Sequence, residues 1–180
     1  MGLSNQSTGA AVLQSEFKIE RNHSGERIIA LAGNPNVGKS TVFNSLTGLN
    51  QHTGNWPGKT VTNAQGRYKY KDNTFILADV PGMYSLMANS EEEEVARNFI
   101  CFGDSDAVVV VTDATCLERN LYLVLQILEV TTNVVVCVNL MDEAKRKHIY
   151  VDLNELSRLL GVAVIGTSAS TGKGLDELME

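Results

Sequence analysis

The sequence predicts an α/β fold in which helices cover both faces of a mostly parallel sheet of six strands. Short strand-like runs alternate with helical patterns from residue 27 to the end of the chain. Several of these runs, such as residues 107–111, are continuously apolar, as expected for parallel strands buried on both faces. A glycine-rich turn also follows the first run directly, and the connections between parallel strands are expected to be right-handed.

The first half of the domain contains two predicted strand regions around a long loop. Residues 28–32 predict the first strand, and a helix follows from Lys39 to about Thr47. Residues 48–64 are rich in Asn, Thr and Gly and predict an irregular loop, of a length that is usually functional. Residues 66–71 and 74–79 predict a hairpin turning at Asp72 and Asn73, which adds one antiparallel edge strand.

The second half continues the alternation. Ser90 and Glu93 form a capping box, which predicts a helix to about Phe102. The last helix starts at Gly172 and reaches the end of the sequence after about two turns, too short to be stable alone. We therefore expect the chain to be the N-terminal piece of a longer protein. The remaining predicted elements are strands at 107–112, 134–139 and 162–167 and helices at 117–130, 143–147 and 151–160.

Composition narrows the class of protein. Residues 1–26 are polar and non-periodic, and they predict a flexible tail before a single domain over residues 27–180. The net charge of −6 makes electrostatic binding of nucleic acid a poor expectation. No apolar stretch approaches the roughly 20 residues of a membrane-spanning helix, and no signal peptide is recognisable. Three cysteines in apolar surroundings favour buried thiols, so we expect a soluble, cytoplasmic fragment.

A complete phosphate-binding loop stands between the first strand and the first helix, in the sequence Gly-Asn-Pro-Asn-Val-Gly-Lys-Ser. Backbone N–H groups of such a turn converge on the α- and β-phosphates of a nucleotide. We expect Lys39 to contact the β- and γ-phosphates and the Ser40 hydroxyl to ligate Mg²⁺. The predicted nucleotide-binding residues of the loop are Gly33, Asn34, Pro35, Asn36, Val37, Gly38, Lys39, Ser40 and Thr41.

Two further segments are expected to surround the γ-phosphate. Asp79 and Gly82 frame an Asp-x-x-Gly motif at the end of the third predicted strand. The Asp79 carboxylate is expected to hold Mg²⁺ through a water molecule, and the Gly82 N–H to meet the γ-phosphate. Thr60, in the long loop, is expected to become the second protein ligand of Mg²⁺ when a γ-phosphate draws the loop in, with Thr53 and Thr62 as alternatives.

The ends of the last two strands predict selection of guanine. Asn139 and Asp142 form an Asn-x-x-Asp motif, whose carboxylate can accept hydrogen bonds from N1–H and the 2-amino group. Adenine offers neither donor, and each charge-assisted hydrogen bond contributes roughly 1.5–3 kcal/mol. Ser168 and Ala169 end the final strand, and we expect the Ala169 N–H to donate to guanine O6. Because the carboxyl ends of the strands meet at one edge, these motifs predict a P-loop G domain of the Ras-like type that binds GTP.

These motifs and their flanking residues resemble the G domain of the ferrous iron transport protein B (FeoB) family over residues 27–180. The resemblance implies a GTPase that regulates Fe²⁺ uptake through an attached helical domain and membrane permease, with oligomerisation through the permease. It implies a location at the cytoplasmic face of the cell membrane, and it favours Thr60 as the Mg²⁺ ligand. Lys59 departs from the family, which more often has a small or apolar residue there. The matching segments are residues 34–36, 54–61, 79–86, 117–123 and 139–144.

The expected catalytic residues are Lys39, Asn36, Thr60 and Gly82. Met83 occupies the position at which many small GTPases carry a glutamine, so water positioning is expected from backbone groups. The resemblance implies that Asn36 ligates a K⁺ ion at the phosphates, which would replace the charge of an arginine finger. Arg97 and Arg119 remain alternative cations, although surface charge is the simpler interpretation of both.

Two other functions stay open at this point. Era-like ribosome- or RNA-associated GTPases share Asn-Pro-Asn-Val-Gly-Lys-Ser, but their RNA-binding role calls for basic surface that this acidic chain does not suggest. The second alternative is a module in which GTP occupancy alone provides the signal and hydrolysis is negligible.

Overall fold

The structure is a computed structural model that describes residues 19–22, 24–48, 51–56 and 59–180. Predictions that fall on residues 1–18, 23, 49–50 and 57–58 lie outside the described residues. The strands are β1 (Arg27–Gly33), β2 (Gln51–Asn55), β3 (Thr62–Tyr70), β4 (Asn73–Asp79), β5 (Ala107–Asp113), β6 (Val134–Asn139) and β7 (Ala163–Gly166). The helices are α1 (Lys39–Thr47), α2 (Glu91–Phe102), α3 (Leu117–Val130), α4 (Met141–Arg146), α5 (Leu153–Leu160) and α6 (Leu175–Met179), with a 3₁₀ turn at Ala169–Thr171.

The strands form one sheet in the order β2-β3-β4-β1-β5-β6-β7. β1 lies between β4 and β5 and is parallel to both, and the parallel pairing continues through β6 to β7. β3 pairs antiparallel with β4 and with β2, so it runs against the rest of the sheet. The carboxyl ends of β1, β4, β5, β6 and β7 therefore meet at one edge, which is where ligands bind to sheets of this kind.

Within the described residues the sheet has seven strands instead of the predicted six, because β2 lies inside the segment predicted to be a loop. Its sequence, Gln-His-Thr-Gly-Asn, has no apolar alternation, and its described side chains are exposed. An edge strand needs only backbone pairing on one side, so it can form from polar residues. As a result β3 is second from the edge, and the hairpin turns at Lys71 and Asp72, one residue earlier than predicted, with Lys71 at φ 53°.

Alternate residues of β1 divide the core between the two faces of the sheet. Ile28 and Ala30 face one layer and Leu31 faces the other, and all three are fully buried. This alternation confirms the prediction that helices cover both faces. The first layer includes Phe99 of α2 and Leu123 and Ile127 of α3, and the second includes Val42 and Phe43 of α1, Cys137 of β6 and Leu175 of α6.

The predicted cap of α2 is present. The Ser90 Oγ accepts a hydrogen bond of 3.2 Å from the Glu93 N–H, and the Glu93 carboxylate accepts one of 2.9 Å from the Asn89 N–H. Four glutamates fill the first turn, where the positive end of the helix dipole stabilises carboxylates. The cap therefore fixes where α2 begins, directly after the Asp-x-x-Gly motif.

The packed domain begins earlier than the predicted boundary at residue 27. Ile19 is 3% exposed and belongs to the core. The Glu26 carboxylate is equally buried and forms an ion pair of 3.2 Å with Arg67 Nε of β3. Arg21 pairs with Asp106, with 3.3 Å between its guanidinium and the carboxylate. Residues 19–22 and 24–26 therefore belong to the domain and not to a tail.

Helix lengths agree with those expected for a small α/β domain. α3, with 14 residues, is the longest helix in the described part of the chain, and α6 has five. Within that part, no helix combines the length and the apolar composition needed to cross a bilayer.

Trp56, the only tryptophan of the chain, is 1% exposed. Its ring packs on Phe99 of α2 with 4.8 Å between the ring centroids. The segment after β2 is therefore anchored on the domain through a large buried side chain, and this contact connects it to α2.

Burial of Cys137 predicts a loss of stability at alkaline pH. Burial raises the pKa of its thiol from 9.0 to about 11, against a smaller lowering by the Thr167 hydroxyl. Because the folded pKa is the higher one, the stabilisation is complete below pH 9 and is lost as the pH rises through 11. We expect the free energy of unfolding in urea to fall by about 2–3 kcal/mol more in the wild type than in Cys137→Ala over this range.

Tyr68, whose pKa burial raises to about 12, is present in both proteins and cancels from the comparison. Parallel pH profiles for the two proteins would contradict the assignment to Cys137.

Candidate nucleotide site

The phosphate-binding loop joins β1 to α1 in a conformation that its sequence favours. Asn36 and Gly38 have φ angles of 66° and 83°, in the left-handed region that asparagine and glycine tolerate best. A Cβ on Gly38 would lie 2.4 Å from Asn139 Nδ2, and one on Gly33 would lie 2.5 Å from the Val111 carbonyl oxygen. Both glycines are therefore required by close packing of the loop on the sheet.

A cavity of about 510 Å³ lies over the loop and the start of α1. The loop residues that line it were all predicted to bind nucleotide, and Gly82 of the Asp-x-x-Gly motif joins them. Val37 and Gly33 are buried behind the loop, so only their backbone can contribute. The lining residues are Asn34, Pro35, Asn36, Gly38, Lys39, Ser40, Thr41, Gly82 and Glu92.

Lys39 and Asp79 form an ion pair at the floor of this region, between Lys39 Nζ and Asp79 Oδ1. Their side chains are 11% and 18% exposed. The Asp-x-x-Gly motif is also joined to the loop by backbone, because the Met83 N–H donates to the Gly33 carbonyl at 3.1 Å. The structure thus brings together Lys39, Asp79 and Gly82, and a phosphate at Lys39 has to compete with the Asp79 carboxylate for its ammonium group.

Asn139 ties three segments of the site together. Its Nδ2 donates to the Val37 carbonyl at 3.1 Å, and its Oδ1 accepts from the Thr167 hydroxyl at 3.0 Å and from the Ala169 N–H at 3.1 Å. Because the side chain is 1% exposed and both its amide nitrogen and its amide oxygen are hydrogen-bonded, it fixes the phosphate loop relative to the loop after β7. The predicted donation from the Ala169 N–H to guanine O6 remains a prediction, since this donor is shared with Asn139.

Asp142 lies in the first turn of α4 beside Ser168. Its N–H donates to the Ser168 Oγ at 3.1 Å, which positions the turn. Its carboxylate oxygen Oδ1 is buried and accepts no hydrogen bond from the described part of the chain. Leaving a buried acceptor unsatisfied costs free energy, so such an oxygen calls for a donor from outside the protein.

Thr60 lies away from the cavity. Its hydroxyl donates to the Glu91 carboxylate of α2 at 3.3 Å, and it is not among the residues that line the cavity. The alternatives Thr53 and Thr62 are exposed on β2 and β3. Ligation of Mg²⁺ by Thr60 therefore stays a prediction that requires the segment to move.

Glu92 lines the cavity and was not predicted to do so. The capping box gives the only sequence signal, because it starts α2 directly after the Asp-x-x-Gly motif and so places the first turn near the phosphates. The two arginine alternatives lie elsewhere: Arg97 donates to the Asn98 side chain, and the Arg119 guanidinium lies 5.7 Å from the ring centroid of Tyr84.

The other cavities of the described residues do not contain the predicted binding motifs. Among the described residues, no three His, Cys, Asp or Glu side chains come close enough to hold a metal ion together. A second groove, of about 570 Å³, lies between the start of α3 and α5 and contains none of the predicted binding residues. Cys116, Arg119, Tyr150 and Leu159 are part of its lining.

Comparison with known proteins agrees with this geometry. A sequence model of the family "Ferrous iron transport protein B" matches residues 27–180. The Fe(2+) transporter FeoB of Shigella flexneri is 42% identical over 154 residues, which are 83% of this chain and 20% of that protein. This chain therefore spans about a fifth of the length of that relative.

Solved structures of FeoB proteins also superimpose on this chain. The G domain of the T. maritima FeoB iron transporter superimposes with a TM-score of 0.81 at 45% identity, covering 86% of this chain and 94% of that one. The cytosolic domain of the same transporter in its GMPPNP form gives a TM-score of 0.83 at 45% identity, covering 85% of this chain and 61% of that one. The fold is thus the P-loop G-domain fold that the motifs predict, and the chain belongs to the ferrous iron transport protein B (FeoB) family.

Proposed function

We propose that this domain binds GTP with Mg²⁺, hydrolyses it to GDP and phosphate, and acts as the switch domain of a ferrous iron transporter. The observation that carries the proposal is the buried Asp142 oxygen without a hydrogen-bond donor, at the same edge of the sheet as the phosphate loop. A guanine base supplies two donors to such a carboxylate. The T. maritima relative that was solved in a GMPPNP form supports a triphosphate in this cavity.

The described residues fit a magnesium ion beside the phosphates. Ser40 lines the cavity and Asp79 ends the adjacent strand, and both offer the oxygen atoms that Mg²⁺ prefers. We assign Ser40 as a direct ligand, Asp79 as a ligand through water, and Thr60 as a ligand that joins after its segment moves. Neutralisation of charge on the β- and γ-phosphates is the chemistry that Mg²⁺ supplies when bound.

Hydrolysis requires a water molecule to attack the γ-phosphorus while its bond to the β,γ-bridging oxygen breaks, so that GDP leaves. Met83 is fully buried and its thioether is a weak acceptor, so its side chain does not orient that water. We assign the γ-phosphate contact to the Gly82 N–H, because Gly82 and Lys39 line the same cavity. Lys39 stabilises the negative charge that develops between the two phosphates.

Asn36 fits the proposed potassium site. Its side chain is exposed, lines the cavity and projects from a left-handed residue in the middle of the phosphate loop. An amide oxygen is a suitable ligand for a monovalent cation, which would supply positive charge that neither Arg97 nor Arg119 delivers here.

Replacing Na⁺ by K⁺ is expected to accelerate GTP hydrolysis by the wild type by about tenfold or more, since positive charge at this place can be worth 10³–10⁵ in rate. Asn36→Ala is expected to abolish this difference. Single-turnover phosphate release in KCl and in NaCl measures both, and Asn154→Ala, at an exposed position of α5, is the matched control. Equal rates in the two salts for wild type and variant would overturn the potassium assignment, and no release at all would favour a module without hydrolysis.

The transport role is proposed for the whole protein. The chain spans 20% of the S. flexneri transporter, so permeation of Fe²⁺ is assigned to the remainder of such a protein. We infer that the domain works at the cytoplasmic face of the membrane, beside the helical and permease domains, and that oligomerisation takes place through the permease. Its acidic net charge of −6 does not favour an RNA partner.

A further inference from the structure

The segment that carries Thr60 is attached to the first turn of α2 by charged and polar contacts. Lys59 Nζ lies 3.8 Å from the Glu91 carboxylate and 3.6 Å from the Glu94 carboxylate. The Thr60 hydroxyl donates to the same Glu91 carboxylate at 3.3 Å. Lys59 thus contacts two glutamates that lie about one helical turn apart on α2, and Thr60 contacts the first of them. We call Lys59, Glu91 and Glu94 the Lys59 clasp.

A tight backbone turn sets this geometry. The Lys59 N–H donates to the Trp56 carbonyl at 3.0 Å, and the Trp56 N–H donates to the Val61 carbonyl at 2.9 Å. Trp56 and Val61 are both buried in the same core cluster as Phe99 of α2. Because Trp56 and Val61 are anchored in the core, Lys59 and Thr60 contact the first turn of α2 and do not line the phosphate cavity.

We propose that the Lys59 clasp holds Thr60 away from the metal and thereby lowers the affinity of the domain for the triphosphate relative to the diphosphate. This rests on the proposed function, in which Thr60 ligates Mg²⁺ only when a γ-phosphate is present. GMPPNP has to separate Thr60 from Glu91, whereas GDP binds without disturbing it. A ligand shifts such an equilibrium by its difference in affinity for the two states, so the clasp acts selectively on the triphosphate.

The size of the effect follows from the exposure of the charges. The Lys59, Glu91 and Glu94 side chains are 32%, 49% and 46% exposed, so solvent screens their attraction. Exposed ion pairs of this kind contribute little individually, and two of them together correspond to a shift of about two- to fivefold in an equilibrium constant. The difference should diminish as the ionic strength approaches about 1 M, where the screening length is about 3 Å.

The experiment compares dissociation constants for GMPPNP and GDP, measured by calorimetry with Mg²⁺. Lys59→Met keeps the apolar stem and removes the charge, and it is expected to tighten GMPPNP binding about two- to fivefold without changing GDP binding. Glu94→Gln should act in the same direction, and Glu91→Ala more strongly because it also removes the acceptor of Thr60. Lys59→Arg should behave as the wild type. Lys71→Met is the matched control, since Lys71, on the β3–β4 hairpin at the end of β4 opposite Asp79, forms an exposed ion pair of 3.0 Å with Glu180.

Unchanged affinities in Lys59→Met and Glu91→Ala, or equal changes for GMPPNP and GDP, would overturn the clasp while leaving the proposed function intact. A wild type that binds neither nucleotide would instead overturn the proposed function, and the clasp with it. The midpoint of thermal unfolding is compared between Lys59→Met and the wild type. An unchanged midpoint shows that the change in GMPPNP affinity comes from the position of Thr60 and not from a less stable fold.

Discussion

Replacement of Lys39 by alanine is expected to weaken GMPPNP binding by about 10²–10³-fold in the presence of Mg²⁺. Lys39 is 11% exposed at the floor of the phosphate cavity, where its ammonium group reaches bound phosphates with little screening. Hydrogen bonds to charged groups contribute roughly 1.5–3 kcal/mol each, and about 1.4 kcal/mol corresponds to a factor of ten. Loss of contacts to two phosphate oxygens therefore accounts for the expected decrease.

Calorimetric titration measures this effect, and Lys71→Ala serves as the control because Lys71 lies on the β3–β4 hairpin. The same substitution leaves the Asp79 carboxylate without its ion-pair partner, so the apo domain should also be somewhat less stable. A decrease of less than about threefold, well below one charge-assisted hydrogen bond, would show that the phosphates do not bind at this loop.

Asp142→Asn is expected to reverse the base preference from guanine to xanthine. The carboxylate accepts from N1–H and the 2-amino group of guanine, and an asparagine amide would present an N–H donor to the amino group instead. Xanthine has a carbonyl oxygen at that position and can accept from the amide. The substitution changes two hydrogen bonds to the base, each of which contributes roughly 1.5–3 kcal/mol. The ratio of GTP to XTP affinity should therefore change by about 10³-fold or more.

Competition between GTP, XTP and ATP for the wild type and the variant measures this change. Glu143→Gln is the matched control, because Glu143 is the next residue of α4 and pairs with Arg146 on the surface. Equal binding of ATP and GTP by the wild type would contradict the assignment of Asp142 to the base and would remove the main support for a G domain.

Much of the site could be predicted because its residues stand in short contiguous motifs. The phosphate loop needs only a strand, a turn and a helix in succession, and local sequence determines all three at residues 28–47. Asp79 and Asn139 each end a strand, and parallel pairing brings those ends to one edge whatever the intervening sequence. Met83, at the position where many small GTPases carry a glutamine, and the Asn-x-x-Asp motif that contains Asp142 were equally visible in the sequence.

The features that were missed depend on contacts between distant parts of the chain. β2 is polar and forms because β3 offers a free edge, which no local pattern records. Glu26 joins the domain through Arg67, 41 residues away along the chain, and Ile19 joins it by burial in the core. Similarly, nothing near Thr60 in the sequence indicates that its hydroxyl donates a hydrogen bond to Glu91, 31 positions later in the chain.

The burial of the sole tryptophan gives the domain an intrinsic optical reporter. Trp56 lies four positions before Thr60, and its indole is enclosed against Phe99. Indole emission moves to longer wavelength when the ring enters water, so undocking of this segment would be recorded without any attached dye. Rapid-mixing fluorescence on the unlabelled protein would therefore time the rearrangement separately from phosphate release, and would show which of the two limits the cycle.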